Sequence, residues 1–387
     1  MKQFVFITIF TITALTAIPA QEWTQFGDIG LAATMSHAEI AVGDPVSDWF
    51  GLTGWFTASG NIEMDHRLDY DQAMFRLHHL LEVTAEGDIS YNLYEAYISF
   101  FPVPWLAVDI GKKHVNWGMG SLFLPTDAIN PKTIDSTDRR QDIGFQGLTL
   151  TFTPNENFSI ITALNIENSL DNLESDYWRD FRYGLLMSAF FGNLQIKTSL
   201  VYEPDTVFRP GLAASFDIEG FVFTAEGAVD FHNPTYYPES ALVWDQPELW
   251  TPFYYVDAGV RKLAAIDDIT LSFAVEYFFT SAGYTKSEES WFFEALGMGT
   301  MHIPQFLGQH YLYGDIGMET TGLLATHHSI LVNLQDSSIL FWHSVTLLVI
   351  ENLDLNIEVM WTTGSSTAEF GLLPQRIQIT AGAVFHF

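Results

Sequence analysis

The chain contains no cysteine. That removes disulfides, thiolate metal sites, a cysteine nucleophile and a lipid-anchored cysteine near the N-terminus. Positive charge is scarce as well: 16 Lys and Arg stand against 47 Asp and Glu, a formal net charge of −31. A surface this acidic repels phosphate, so nucleic acid is excluded as a partner. Past the N-terminal stretch there is no run of about 18 apolar residues, and no transmembrane helix is expected. No local nucleophile motif of the G-x-S-x-G kind occurs, and the chain reads as a non-enzyme. The twelve histidines do not suggest a metal site. His78-His79 and His327-His328 are adjacent, so on a strand their side chains point to opposite faces and cannot share one ion. No metal and no cofactor is expected.

What the chain has is apolar surface. Hydrophobic residues make up 48% and aromatics 15%, with a mean hydropathy of +0.13. A chain both apolar and acidic must keep the two properties apart. Alternation along β-strands does this, with apolar side chains facing lipid and polar ones facing a lumen.

Residues 1–20 read as a secretory signal peptide: Lys2, an apolar stretch from Phe4 to Ala17, and a cleavage site at Ile18-Pro19-Ala20. Residues 21–52 carry glycines and little alternation, and fit a lead-in, a plug or a first strand near Ile29 to Met35. From residue 53 to 387 alternation is regular. Phe75, Leu77, Leu81 and Val83 oppose Arg76, His78 and Glu82. Ile269, Leu271, Phe273, Val275, Tyr277 and Phe279 oppose Thr270, Ser272 and Glu276. Leu353, Leu355, Ile357, Val359 and Trp361 oppose Asp354, Asn356 and Glu358.

Tight connections such as Gly192-Asn193, Glu219-Gly220 and Asp267-Asp268 alternate with long segments at 116–142, 168–180, 233–252, 281–325 and 364–375. This short/long asymmetry marks outer-membrane barrels, which have even strand numbers. The fold expected is all-β, a transmembrane antiparallel β-barrel of about 16 strands, with 14 or 18 left open by the 281–325 segment. A soluble sandwich also alternates, but aromatics at many strand ends resemble interfacial girdles.

The stretch from Gly111 to Pro131, GKKHVNWGMGSLFLPTDAINP, interrupts the pattern. Trp117 and Leu122-Phe123-Leu124 are too apolar for a solvated loop, while Pro125, Asp127, Asn130 and Pro131 are turn formers. Such a loop has to pack on something, and the barrel interior offers a place.

LYEAYISF, GKKHVNWG and PTDAINP, in this order, resemble porin-type outer-membrane channels of diderm bacteria. The matching residues are Gly111, Lys112, Trp117, Gly118, Pro125, Asp127, Asn130 and Pro131. Carbohydrate- and alginate-export barrels share this look. The last strand, with Phe385 and the terminal Phe387, resembles the assembly signal of such barrels. The resemblance implies a channel or exporter in the bacterial outer membrane. Its partners would be membrane lipid, the barrel-assembly machinery and small polar solutes or ions, with a homo-oligomer for which no seam is legible.

On this reading the pore constriction comprises Trp117, Asp127, Asn130, Arg139 and Arg140. The lumen wall sets Arg76 and Lys113 against Glu95, Glu226, Glu276 and Glu358. Opposed charges create a transverse field that orients polar solutes, and the acidic excess favours cations. The function expected is porin-like passive diffusion with mild cation preference. A substrate-selective saccharide or nutrient channel or exporter, and a surface adhesin, are the alternatives.

Overall fold

A computed structural model describes residues 22–38, 54–70, 72–84, 89–130, 144–166, 181–204, 207–231, 237–240, 243–245, 251–296, 306–320, 323–350, 352–365, 367–371 and 375–386. The signal-peptide reading, Arg139, Arg140 and Phe387 lie outside them.

The first strands are β1 (Glu22–Ala38), β2 (Gly54–Tyr70), β3 (Ala73–Thr84), β4 (Ile89–Val103) and β5 (Leu106–Lys113). There follow β6 (Phe145–Asn155), β7 (Phe158–Asn165), β8 (Arg182–Phe191), β9 (Leu194–Glu203), β10 (Val207–Ile218) and β11 (Phe221–Asp230). A short ribbon, β12 (Tyr237–Ser240) with β13 (Val243–Asp245), pairs only with itself. The chain continues with β14 (Phe253–Ile266), β15 (Ile269–Thr280), the helix α1 (Lys286–Leu296) and β16 (His310–Thr320). It ends with β17 (Leu324–Asn333), β18 (Ile339–Ile350), β19 (Leu353–Thr363) and β20 (Gln375–His386).

Apart from the ribbon, each strand pairs antiparallel with its neighbours in one 18-stranded sheet. β1 pairs with both β2 and β20, from Asp28↔His386 onward, so the sheet closes into a barrel without edges. The number is eighteen, the upper end of the expected range rather than about sixteen. The two strands that raise it are β1 and β16, where Gly27 and Gly30, and Gly314 and Gly317, dilute the apolar alternation. The segment 281–325 is accordingly not one outer loop but a loop holding α1, then β16, then a tight connection to β17.

The strand pattern puts apolar residues outside. Ile110, Leu212, Ile316 and Leu263 are more than half exposed, while Asp109, Ala213, Glu226, Asp257 and Glu276 are buried inside. Phe385 is among the outward residues and pairs with Ile29 and Leu353. At one end two-residue turns suffice. At Glu219-Gly220 both central residues have positive φ (52° and 77°), the backbone that matches the right-handed twist of a hairpin.

If the outer face meets hydrocarbon, Leu212→Arg in the middle of β10 should lower the free energy of unfolding in phospholipid by about 2–4 kcal/mol. A urea titration of reversible folding measures this, and no change would mean that the face is not lipid-facing.

Candidate functional site

The loop that begins at His114 leaves β5 and turns into the barrel. Its base is closed by one side chain: Asn130 Oδ1 accepts from Val115 N–H (3.3 Å) and Nδ2 donates to Val115 C=O (2.7 Å), as a strand neighbour would. Asp127 holds that asparagine in place, accepting from Asn130 Nδ2 at 2.9 Å and from its N–H at 3.3 Å. The entering backbone is tied to the wall as His114 N–H donates to Glu95 (2.9 Å).

One side of the loop packs on the β6–β9 wall. Val115, Trp117, Ala128 and Ile129 form a buried cluster with Phe145, Ala163, Leu186 and Val201. Trp117 is fully buried, and glycine at 184 makes room for it: a Cβ there would lie 2.8 Å from the indole. Wall donors meet loop carbonyls. Arg182 donates to Ala128 C=O (2.9 Å), Asn165 to Ile129 C=O (3.1 Å) and Lys197 to Gly118 C=O (2.9 Å).

The tip is held by two carboxylates. Glu226 of β11 accepts from the N–H groups of Met119 and Gly120 (2.6 Å for Gly120) and from Thr126 Oγ1 (2.8 Å). Glu276 of β15 accepts from the N–H groups of Ser121, Leu122 (2.9 Å) and Phe123 (3.3 Å). Phe123 then stacks on Phe278 at 4.4 Å and 5°. It shares a buried cluster with Tyr311, Tyr313 and Phe370. The path β5-β6-β7-β8-β9-β10-β11-β14-β15-β16 is nine steps round a ring of eighteen. A loop that starts at β5 and packs its tip on β16 therefore crosses the lumen.

The sequence-selected residues divide accordingly. Trp117, Asp127 and Asn130 come together in the loop, all buried, as an anchor and a base closure. Glu226 and Glu276 lie 3% and 2% exposed, with the loop backbone as their partner. Arg76 bridges Asp65 and Glu95, both at 2.8 Å. Lys113 pairs with Asp109 at 2.7 Å, and Ser99 donates to the same carboxylate. Glu358 lies on β19, away from the loop's seat, opposite Thr380 and Ser344. Four participants were not picked out from sequence: Gly184, Arg182, Asn165 and Asp257, which is fully buried opposite Glu226. Asp257 occupies an inward register position of an alternating strand, and strand pairing alone brings it to Glu226.

No protein-family model matches the chain, and no curated protein matches it. Solved structures do. OccAB1 of Acinetobacter baumannii superposes with a TM-score of 0.58 at 11% identity, over 95% of this chain and 97% of that one. A BenF-like porin from Pseudomonas fluorescens Pf-5 gives 0.58 at 7% identity, over 95% and 99%. Wzi of Escherichia coli, an outer-membrane protein involved in group 1 capsule assembly and described as a carbohydrate-binding β-barrel, gives 0.56 at 12%, over 97% and 86%. At such identities the likeness is one of fold, and the fold is that of outer-membrane porins.

Removing an acceptor from the seat leaves buried N–H groups without partners, at about 1–3 kcal/mol each. Glu276→Ala should therefore lower the amide-exchange protection of residues 121–123 by at least about tenfold while the strands keep theirs. Unchanged protection would show that the carboxylate does not hold the tip.

Proposed function

We propose that the protein is a channel of the bacterial outer membrane through which small polar solutes diffuse passively, with a preference for cations. The loop 116–142 is its constriction. The observation that carries this reading is the crossing itself: a closed ring of eighteen strands with a loop seated on the far wall. A barrel of this size leaves an aqueous lumen unless something folds into it. Residues 114–130 of the loop lie on the side bounded by β6–β16, and the other side is bounded by β17–β20 and β1–β4.

Cation preference follows from the pairing of the wall charges. Arg76, Lys113, Arg182 and Arg209 each lie against a carboxylate. With these four cations paired, the acidic surplus of the chain sets the sign of the field. No catalytic step is assigned to any residue.

The likeness to Wzi favours a second version of the same reading, in which the passing solute is a saccharide. Passive diffusion gives currents unaffected by added sugar, and a saccharide site gives concentration-dependent block.

The test is single-channel recording of the refolded protein in a planar bilayer under a salt gradient. The expected result is a steady conductance with a cation-selective reversal potential, and a larger conductance for Trp117→Ala together with Glu276→Ala. Anion selectivity would overturn the charge argument. Absence of current in folded, inserted protein would overturn the channel.

A further inference from the structure

On the side away from the loop, the lumen is bounded by a wall that carries acids without bases. From residue 263 to 375 the sequence has one Lys or Arg, Lys286 of α1, and strands β15–β19 have none. By contrast Glu95, Asp109, Glu203 and Asp230, on β4–β11, each lie against an arginine or lysine. On β18 and β19 the exposed Leu347, Val349, Ile357 and Trp361 mark the outward face, which turns Trp342, Ser344, Glu358 and Met360 to the lumen. Strand register then sets two rows side by side. One runs Asp315, Ser329, Trp342, Met360, and the other Gly317, His327, Ser344, Glu358. Trp342 is thus one diagonal step, about 7–8 Å, from both His327 and Glu358. It is two strands, about 10 Å, from Asp315. Among the described residues it is the one indole or phenyl ring on the lumen side of β17–β19.

We propose that the face of Trp342, framed by Glu358 and Asp315, is a binding subsite for small organic cations, amines or guanidines that carry no carboxylate. An indole face attracts a cation through its quadrupole, more strongly where water is partly displaced, and this ring is partly buried. The two carboxylates flank the ring on either side. A carboxylate on the solute would meet two like charges and no base. A separate observation marks the same face as short of hydrogen-bond donors. Thr362, the next inward residue of β19 after Met360, is 2% exposed and its hydroxyl has no hydrogen-bond partner. Asn356 Oδ1, two residues before Glu358, and Gln378 Oε1, opposite Met360, are buried without a partner as well. An ammonium or guanidinium brings several N–H donors to such a wall and no acceptor.

The subsite borders the constriction. Leu331 and Leu340, the inward residues next to Ser329 and Trp342, pack against the tip cluster that holds Phe123. A solute that rounds the loop tip on the open side therefore meets Trp342 next. Asp315 is fixed in direction by its neighbours. The Ser329 hydroxyl donates to it, Tyr313 OH donates at 3.3 Å, and His327 Nδ1 lies 3.6 Å from its other oxygen. The inference rests on the channel reading given above and narrows its cation preference to a class of solute.

The experiment titrates the folded full chain in lipid nanodiscs with agmatine and, in parallel, with arginine, which is agmatine with one carboxylate added. Ligand-observed NMR reads binding whether or not the barrel conducts. Agmatine should bind saturably and at least about tenfold more tightly than arginine. Glu358→Gln should weaken agmatine by about fivefold and Trp342→Leu by about threefold, each variant being checked for folding by heat-modifiable gel migration. Equal affinity for agmatine and arginine overturns the subsite, and so does agmatine binding that neither variant weakens. Displacement of agmatine by glucose at matched concentration would show recognition of hydroxyls rather than charge and overturns it too. If Glu358→Gln fails to fold, Trp342→Leu decides alone: a weaker agmatine affinity supports the subsite and an unchanged one overturns it. Saturable agmatine binding in protein that passes no current leaves the subsite standing and overturns the channel. Steady current without agmatine binding does the reverse.

Discussion

A backbone N–H taken out of water needs an acceptor, and a loop that crosses a lumen has no strand neighbour to supply one. Five consecutive residues, Met119 to Phe123, face this at the tip, and two carboxylates solve it. The constraint is reciprocal. Glu226 and Glu276 point into the barrel, and a carboxylate shut away from water requires several donors. The five N–H groups and the Thr126 hydroxyl supply them. Backbone has to come very close for this to work. A Cβ on residue 120 would lie 2.1 Å from Phe123 C=O, so only glycine fits that turn. Closure of the ring, the register of β11 against β14 and β15, and the glycine are all required by the same seat.

This changes what the acidic wall does. Opposed charges across a lumen suggest a selectivity field, yet Glu226 and Glu276 are spent on positioning the loop, and Glu95 is divided between Arg76 and the loop entry. The transverse field is therefore weaker at the seat than the bare count of charges implies. What remains is a net sign, because each paired arginine or lysine uses one acid while the acids outnumber the bases nearly three to one.

The barrel was legible because period-2 alternation repeats in nearly every strand. Legibility weakened where glycine replaces the apolar member, in β1 and β16, which left the first strand one option among three and the strand count open. Helix α1 had a signal that went unused: Thr285-Lys286-Ser287-Glu288 is a capping box, with Thr285 N–H donating to Glu288 at 2.6 Å. The loop was legible as an element that must pack, from Trp117 and Phe123. Its seat was not, because Glu226 and Glu276 lie more than a hundred residues from the loop, and alternation says only that they face inward.

The two ends of the loop are fixed by different chemistry, and this decides which end can move. The base is local. Asn130 bonds Val115 across a short stretch of the same loop, Asp127 buttresses it, and the Trp117 cluster rests on paired strands. The tip depends on groups far away in sequence: two carboxylates on separate strands, and a ring cluster drawn from residues 123, 278, 306, 311 and 370. Close-packed aromatic groups have few intermediate arrangements, so a shift of Phe306 or Phe370 either is absorbed as a void or displaces Phe123. A void beside stacked rings forfeits dispersion contacts on every side, so the cluster resists a shift of one ring without the others.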